Sequence, residues 1–178
     1  GIRTGMTLAD ARAILPDLQT SEADFEAENR ALTQLSDWCG RFSPWTAPDE
    51  DGSGHAFGGA GSVWLDVTGC AHLFGGEDAL MRDIISRLNT IGFTACAAIA
   101  DTPGAAWAAV RYTAYKRKRW TNVARGRARD VIAAMPVAGL RLAPATIAGL
   151  QAVGLRRIGD LMPIPRTALV DRFGSEVA

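Results

Sequence analysis

Hydrophobic positions fall at helical spacing over several stretches of the chain. Thr7 to Leu15 is a short amphipathic segment, with Thr7 placed to cap it, Asp10 at the capping-box position and Pro16 to stop it. Glu22 to Arg41 carries Phe25, Leu32, Leu35 and Cys39 near helical spacing, and Ser43-Pro44 ends it. Glu77 to Ile91 places Leu80, Met81, Ile84, Ile85 and Leu88 on one face, and Gly92 follows as a C-terminal cap. Pro103 to Tyr115 reads as a small-residue helix with proline in its first turn. Two stretches have strand character instead: Ser62 to Thr68, rich in β-branched and aromatic residues, and Phe93 to Ala100. Asp49 to Gly61 is polar and glycine-rich, a loop between strands.

The order strand, helix, strand, helix predicts an α+β layer built on a small sheet. From Asp130 onward the pattern changes to short helices broken by Gly and Pro, which predicts a second, all-helical unit. The chain opens on Gly1 and stops at Glu176-Val177-Ala178, just after a helix start, so a piece of a longer protein is expected. At 178 residues it is long enough for one sizeable core or two small ones.

Composition narrows the function classes only a little. Nineteen basic and 19 acidic residues cancel, so any nucleic-acid contact must come from the distribution of charge rather than its sum. No apolar run approaches a membrane span, and the N-terminus has no basic-then-apolar signal pattern. An odd set of three separated cysteines argues against a disulfide framework, and a cytoplasmic location is expected.

Two stretches carry candidate chemistry. Leu150 to Leu161 reads as two short helical patterns flanking Gly154-Leu155-Arg156-Arg157-Ile158-Gly159. A glycine turn before a helix N-terminus aims backbone N–H groups at a phosphate, and Arg156 and Arg157 add charge there. Such contacts hold a strand without reading its sequence. The same residues equally describe an ordinary αα-hairpin with solvated arginines. The second stretch is Lys116-Arg117-Lys118-Arg119-Trp120, followed by Arg125, Arg127 and Arg129. It gathers seven of the 19 basic residues, with a tryptophan able to stack on a base. A solvated linker is the competing reading of that run. Cys39, Cys70, Cys96, His55 and His72 do not make a zinc spacing. No catalytic-triad elbow or phosphate loop is present, since Gly58-Gly59-Ala60-Gly61 lacks the Lys and Ser/Thr that loop needs.

Taken in order, several segments resemble the Y-family (translesion) DNA polymerases, and more closely the ImuB-type proteins of bacterial mutagenesis cassettes. Gly1 to Met6, with Ala11-Arg12 and Pro16-Asp17, is similar to the fingers segment. Trp38 to Pro44 matches the end of the helix leading back to the palm, and Trp64 to Gly69 the palm motif L-D-(L/V)-T-G. Ala97 to Trp107 stands where polymerases carry S-x-G-I-x-x-N-K-x-L-A-K, and Leu155 to Leu161 fits the thumb hairpin. The resemblance implies a partial polymerase core. Its parts are a fingers-like helical segment 1–42, a palm-like segment 43–115, a basic connector 116–129 and a thumb-like helix–hairpin–helix segment 130–178.

Active members read S-I-D-E-A-(F/Y)-L-D across the palm strand and use that Asp-Glu pair, with an earlier Asp, to hold two Mg²⁺ ions. Registering on Trp64-Leu65-Asp66 puts Gly61 and Ser62 at the two carboxylate positions, and Ser53 to Gly61 contains no carboxylate in any register. Asp66 matches a family position that is not a metal ligand, and the lysine of N-K falls on Pro103. The resemblance therefore implies no catalytic residues, no metal and no cofactor. It implies a DNA-binding adaptor of translesion synthesis and DNA repair that joins a C-family error-prone polymerase, a RecA-like partner and the sliding clamp. The DNA-binding residues expected are Gly154, Arg156, Arg157 and Gly159 in the hairpin and Lys116, Arg117, Lys118 and Arg119 in the connector. The alternatives are an active error-prone polymerase using Mg²⁺, and a helix–hairpin–helix protein unrelated to polymerases.

Overall fold

The computed structural model describes residues 1–3, 5–49, 61–113 and 119–177, and the chain divides into two compact units, 1–68 and 69–178. In the first unit, α1 (Leu8–Ile14) starts where the Thr7 hydroxyl oxygen accepts the Asp10 backbone N–H at 3.1 Å and donates to the Asp10 carboxylate at 2.7 Å. Helix α2 (Phe25–Cys39) begins three residues later than Glu22, because the Asp24 carboxylate caps it by accepting the Ala27 N–H at 2.9 Å. Phe42 and Ser43, just past its end, are buried. The Ser43 hydroxyl accepts the Trp45 N–H at 3.1 Å and donates to the Asp66 carbonyl, tying the helix end to both strands that follow. Those strands, β1 (Trp45–Pro48) and β2 (Val63–Asp66), pair antiparallel from Trp45↔Asp66 to Pro48↔Val63. The Asp49 N–H extends the ladder to the Ser62 carbonyl at 2.8 Å. The loop expected between the strands lies mostly outside the described residues.

The second unit opens with a 3-10 turn and α3 (Glu77–Thr90), which buries Leu80, Met81, Ile85 and Leu88. Gly92, at φ +92°, reverses the chain after it, and the Phe93 N–H bonds back to the Leu88 carbonyl at 2.9 Å. That bond belongs to the helix end, so the expected strand 93–100 shortens to β3 (Ala97–Ile99). Helix α4 (Pro103–Tyr112) starts at Thr102, whose hydroxyl accepts the Ala105 N–H, and buries Ala105, Trp107, Ala108 and Ala109. It crosses to β4 (Trp120–Asn122), which pairs parallel with β3. The α+β expectation is met, but the single small sheet is two two-stranded sheets among the described residues.

Helices α5 (Ala128–Ala133), α6 (Pro144–Ala152), α7 (Ile158–Leu161) and α8 (Arg166–Phe173) follow. Val137, Leu150, Leu161 and Leu169 form their buried centre. They do not make a separate compact unit. Trp107 on α4 is buried with the Arg111 guanidinium 3.9 Å and that of Arg141 5.5 Å from its ring centroid, so α4 packs into the helical region. The described part of the connector 116–129 is also structured, since it contains β4 and the buried Val123.

Candidate nucleic-acid interface

The hairpin forms between α6 and α7. Gly154 takes φ +87°, a conformation that costs a side-chain-bearing residue energy, and the Leu155 N–H closes on the Leu150 carbonyl at 3.0 Å. Arg156 and Arg157 are exposed on the next turn. Their backbone is stitched to the segment before α6: the Val137 N–H donates to the Arg156 carbonyl at 3.0 Å and the Ile158 N–H to the Met135 carbonyl at 2.9 Å.

Two amides of the turn are hydrogen-bonded within the chain. One Asp160 carboxylate oxygen accepts the Arg156 N–H at 3.0 Å and the Arg157 N–H at 2.8 Å. The hydrogen bonds from Arg157 and then Arg156, helped by the Arg157 charge, hold the Asp160 pKa below the usual aspartate value. Asp160 thus takes up both arginine amides, and the two arginine side chains are exposed on the turn. Among the described residues neither is in an ion pair. Asp160 was missed in the sequence, although it stands three residues after Arg157 at the capping-box spacing. Gly159 plays a packing part: a Cβ there would lie 2.9 Å from the Ala133 backbone oxygen, so its lack of a side chain lets α7 approach the end of α5.

Of the basic run, Lys116, Arg117 and Lys118 lie outside the described residues. Arg119 opens β4: its carbonyl accepts the Ala97 N–H at 2.8 Å and its guanidinium donates to the Asn89 side chain at 3.3 Å. The hairpin arginines face an open cleft of about 760 Å³, whose lining also includes Tyr112, Thr113, Met135 and Gln151.

In the first unit, Gly61 and Ser62 directly precede β2, and the Ser62 carbonyl holds the Asp49 N–H. A Cβ at Gly61 would stand 2.9 Å from a terminal methyl of Leu32 on α2, so a larger side chain needs that leucine to move. The Asp66 carboxylate accepts the Thr68 N–H at 2.9 Å. The Thr68 hydroxyl and this N–H lower its pKa, which marks a turn-forming carboxylate. Among the described residues no group of three or more His, Cys, Asp or Glu is placed to hold a metal ion. Pro103, at the position of the family lysine, is the first residue of α4.

The first unit thus holds two helices and an antiparallel hairpin whose second strand ends at Asp66, and the second carries an arginine-bearing helical hairpin. The chain matches the model of the impB/mucB/samB family over residues 1–111 and belongs to that Y-family group. Over 174 residues, 98% of this chain, it is 43% identical to Protein ImuB of Caulobacter vibrioides, in each of two strains. The match spans 35% of that protein, so the chain covers about a third of the length of the curated relatives it matches. No solved structure matches it significantly.

Proposed function

We propose that this protein is a non-catalytic, DNA-binding adaptor of translesion synthesis. The observation that carries the reading is the palm strand. Matching Trp64-Leu65-Asp66 to the family motif puts Gly61 and Ser62, the two positions preceding Val63, where active family members place the Asp-Glu pair. A hydroxymethyl and a hydrogen cannot clamp two hard divalent cations around a transferring phosphate. Asp66 is committed to Thr68. Kinship with Protein ImuB supports the same reading, and by that resemblance the partners are a C-family error-prone polymerase, a RecA-like protein and the sliding clamp. No helix among the described residues is long and apolar enough to cross a membrane, and the site of action proposed is cytoplasmic DNA during damage-induced (SOS) mutagenesis.

DNA is held through its backbone, by Arg156 and Arg157 in the hairpin and by the basic run Lys116 to Arg119. The competing reading, an active Mg²⁺-dependent polymerase, rests on family membership alone. The binding half is tested by fluorescence anisotropy of the full-length protein on primer–template DNA at rising salt. Changing Arg156 and Arg157 to Ala is expected to weaken all sequences alike and to lower the salt slope by about one per lost phosphate contact. An unchanged slope leaves a plain αα-hairpin.

A further inference from the structure

The cleft beside the hairpin has features that a phosphate grip alone does not explain. It is an open concavity of about 760 Å³. The exposed Arg156 and Arg157 contribute positive charge to its lining. The rest of the lining is mixed apolar and polar, with Val131, Ala134, Met135 and Pro136 as well as Tyr112, Thr113 and Gln151. Met135 is buried and Tyr112 is half-buried, and burial raises the Tyr112 pKa. The walls are fixed to each other by the backbone bonds Val137 to Arg156 and Ile158 to Met135, and Asp160 fixes the arginine turn. The two arginines thus stand over a pre-formed concavity rather than on a loose surface loop.

A duplex presents phosphates on its outside and keeps base faces stacked within, so it gives such a concavity nothing apolar to bury. An unpaired nucleotide presents both a phosphate and a free base face. We infer that this cleft takes an unpaired nucleotide of a single DNA strand, its phosphate on Arg156 and Arg157 and its base against the wall of Tyr112, Met135 and Pro136. Gln151 supplies a hydrogen-bonding amide that suits any base. The inference rests on the DNA-contact reading above and adds a preference for unpaired strand.

The test uses the full-length protein, a labelled single strand of about ten nucleotides and the corresponding duplex. Ala134→Leu combined with Gln151→Leu fills the cleft from two exposed helix-end positions and leaves both arginines in place. The expected result is about a tenfold loss of single-strand affinity with duplex affinity nearly unchanged, as removal of a stacked base contact requires. Arg156→Gln with Arg157→Gln is expected to weaken both ligands. Circular dichroism confirms folding, and Ala152→Leu, an exposed helix-end change outside the cleft lining, is expected to bind as wild type. Wild-type single-strand affinity in the filled variant overturns this inference while the adaptor reading stands. Failure of the unmodified protein to bind either DNA overturns both.

Discussion

Replacing Gly159 by Ala tests the packing that places the hairpin arginines. The new Cβ would meet the Ala133 backbone oxygen at 2.9 Å and the Ala133 carbonyl carbon and Cβ at 3.4 Å. The obstacle is backbone, so α7 itself must move by a few tenths of an ångström, and overpacking of this kind costs about 1–3 kcal/mol. Alanine returns at most about 1 kcal/mol of helix propensity, and less in a helix as short as α7. The net loss is therefore about 1–2 kcal/mol, or roughly 2–8 °C in Tm for a domain of this size. Gly154→Ala provides the contrast. Nothing lies within 4 Å of a Cβ there, and its cost is the strain of φ +87°, about 1–2 kcal/mol before the smaller unfolded-state entropy is credited. Asparagine tolerates that conformation and is expected to recover most of the loss at 154, whereas no side chain recovers it at 159. Thermal melts followed by circular dichroism read both. A Gly159→Ala protein that melts at or above the wild-type temperature refutes the packing argument.

The lowered pKa of Asp160 makes its two amide hydrogen bonds acid-sensitive: their contribution is complete above the ordinary aspartate pKa and is lost as pH falls through the lowered folded value. In thermal melts Asp160→Asn should accordingly be less stable than wild type at pH 7 and converge with it only as pH falls below the ordinary aspartate range. Leu150→Ala empties a fully buried position at the helical centre and is expected to cost about 2–5 kcal/mol, read as a shift of the urea midpoint. Changing Lys116, Arg117 and Lys118 to Ala, with Arg119 kept for its contact to Asn89, should cost on the order of tenfold in DNA affinity at low salt, the loss shrinking as salt rises. Loss of a protein partner with normal DNA binding would make the run a docking segment instead.

What the sequence discloses follows the reach of its signals. Thr7, Thr102 and Gly92 act within a turn of their own helices, so α1 and α3 begin and end, and α4 begins, close to their expected limits. Strand β4 was illegible because it is three residues long, adjoins a basic run and exists through pairing with β3 across a whole helix. Strand β3 is shorter than its apolar pattern because the Phe93 amide is spent on the end of α3. The arginine pair was visible from its turn glycine, but the occupation of its amides depends on one carboxylate oxygen of Asp160. The cleft had no signature, since its walls come from four separate elements that meet through tertiary packing.

Primer extension by the full-length protein, with Mg²⁺ and then Mn²⁺ on an undamaged and a lesion-bearing template, tests the central claim most directly. The account predicts no nucleotide addition with either ion, under conditions where anisotropy shows the same primer–template bound, because Gly61 and Ser62 bring no carboxylate to the palm strand. Metal-dependent extension that survives purification to homogeneity would contradict it.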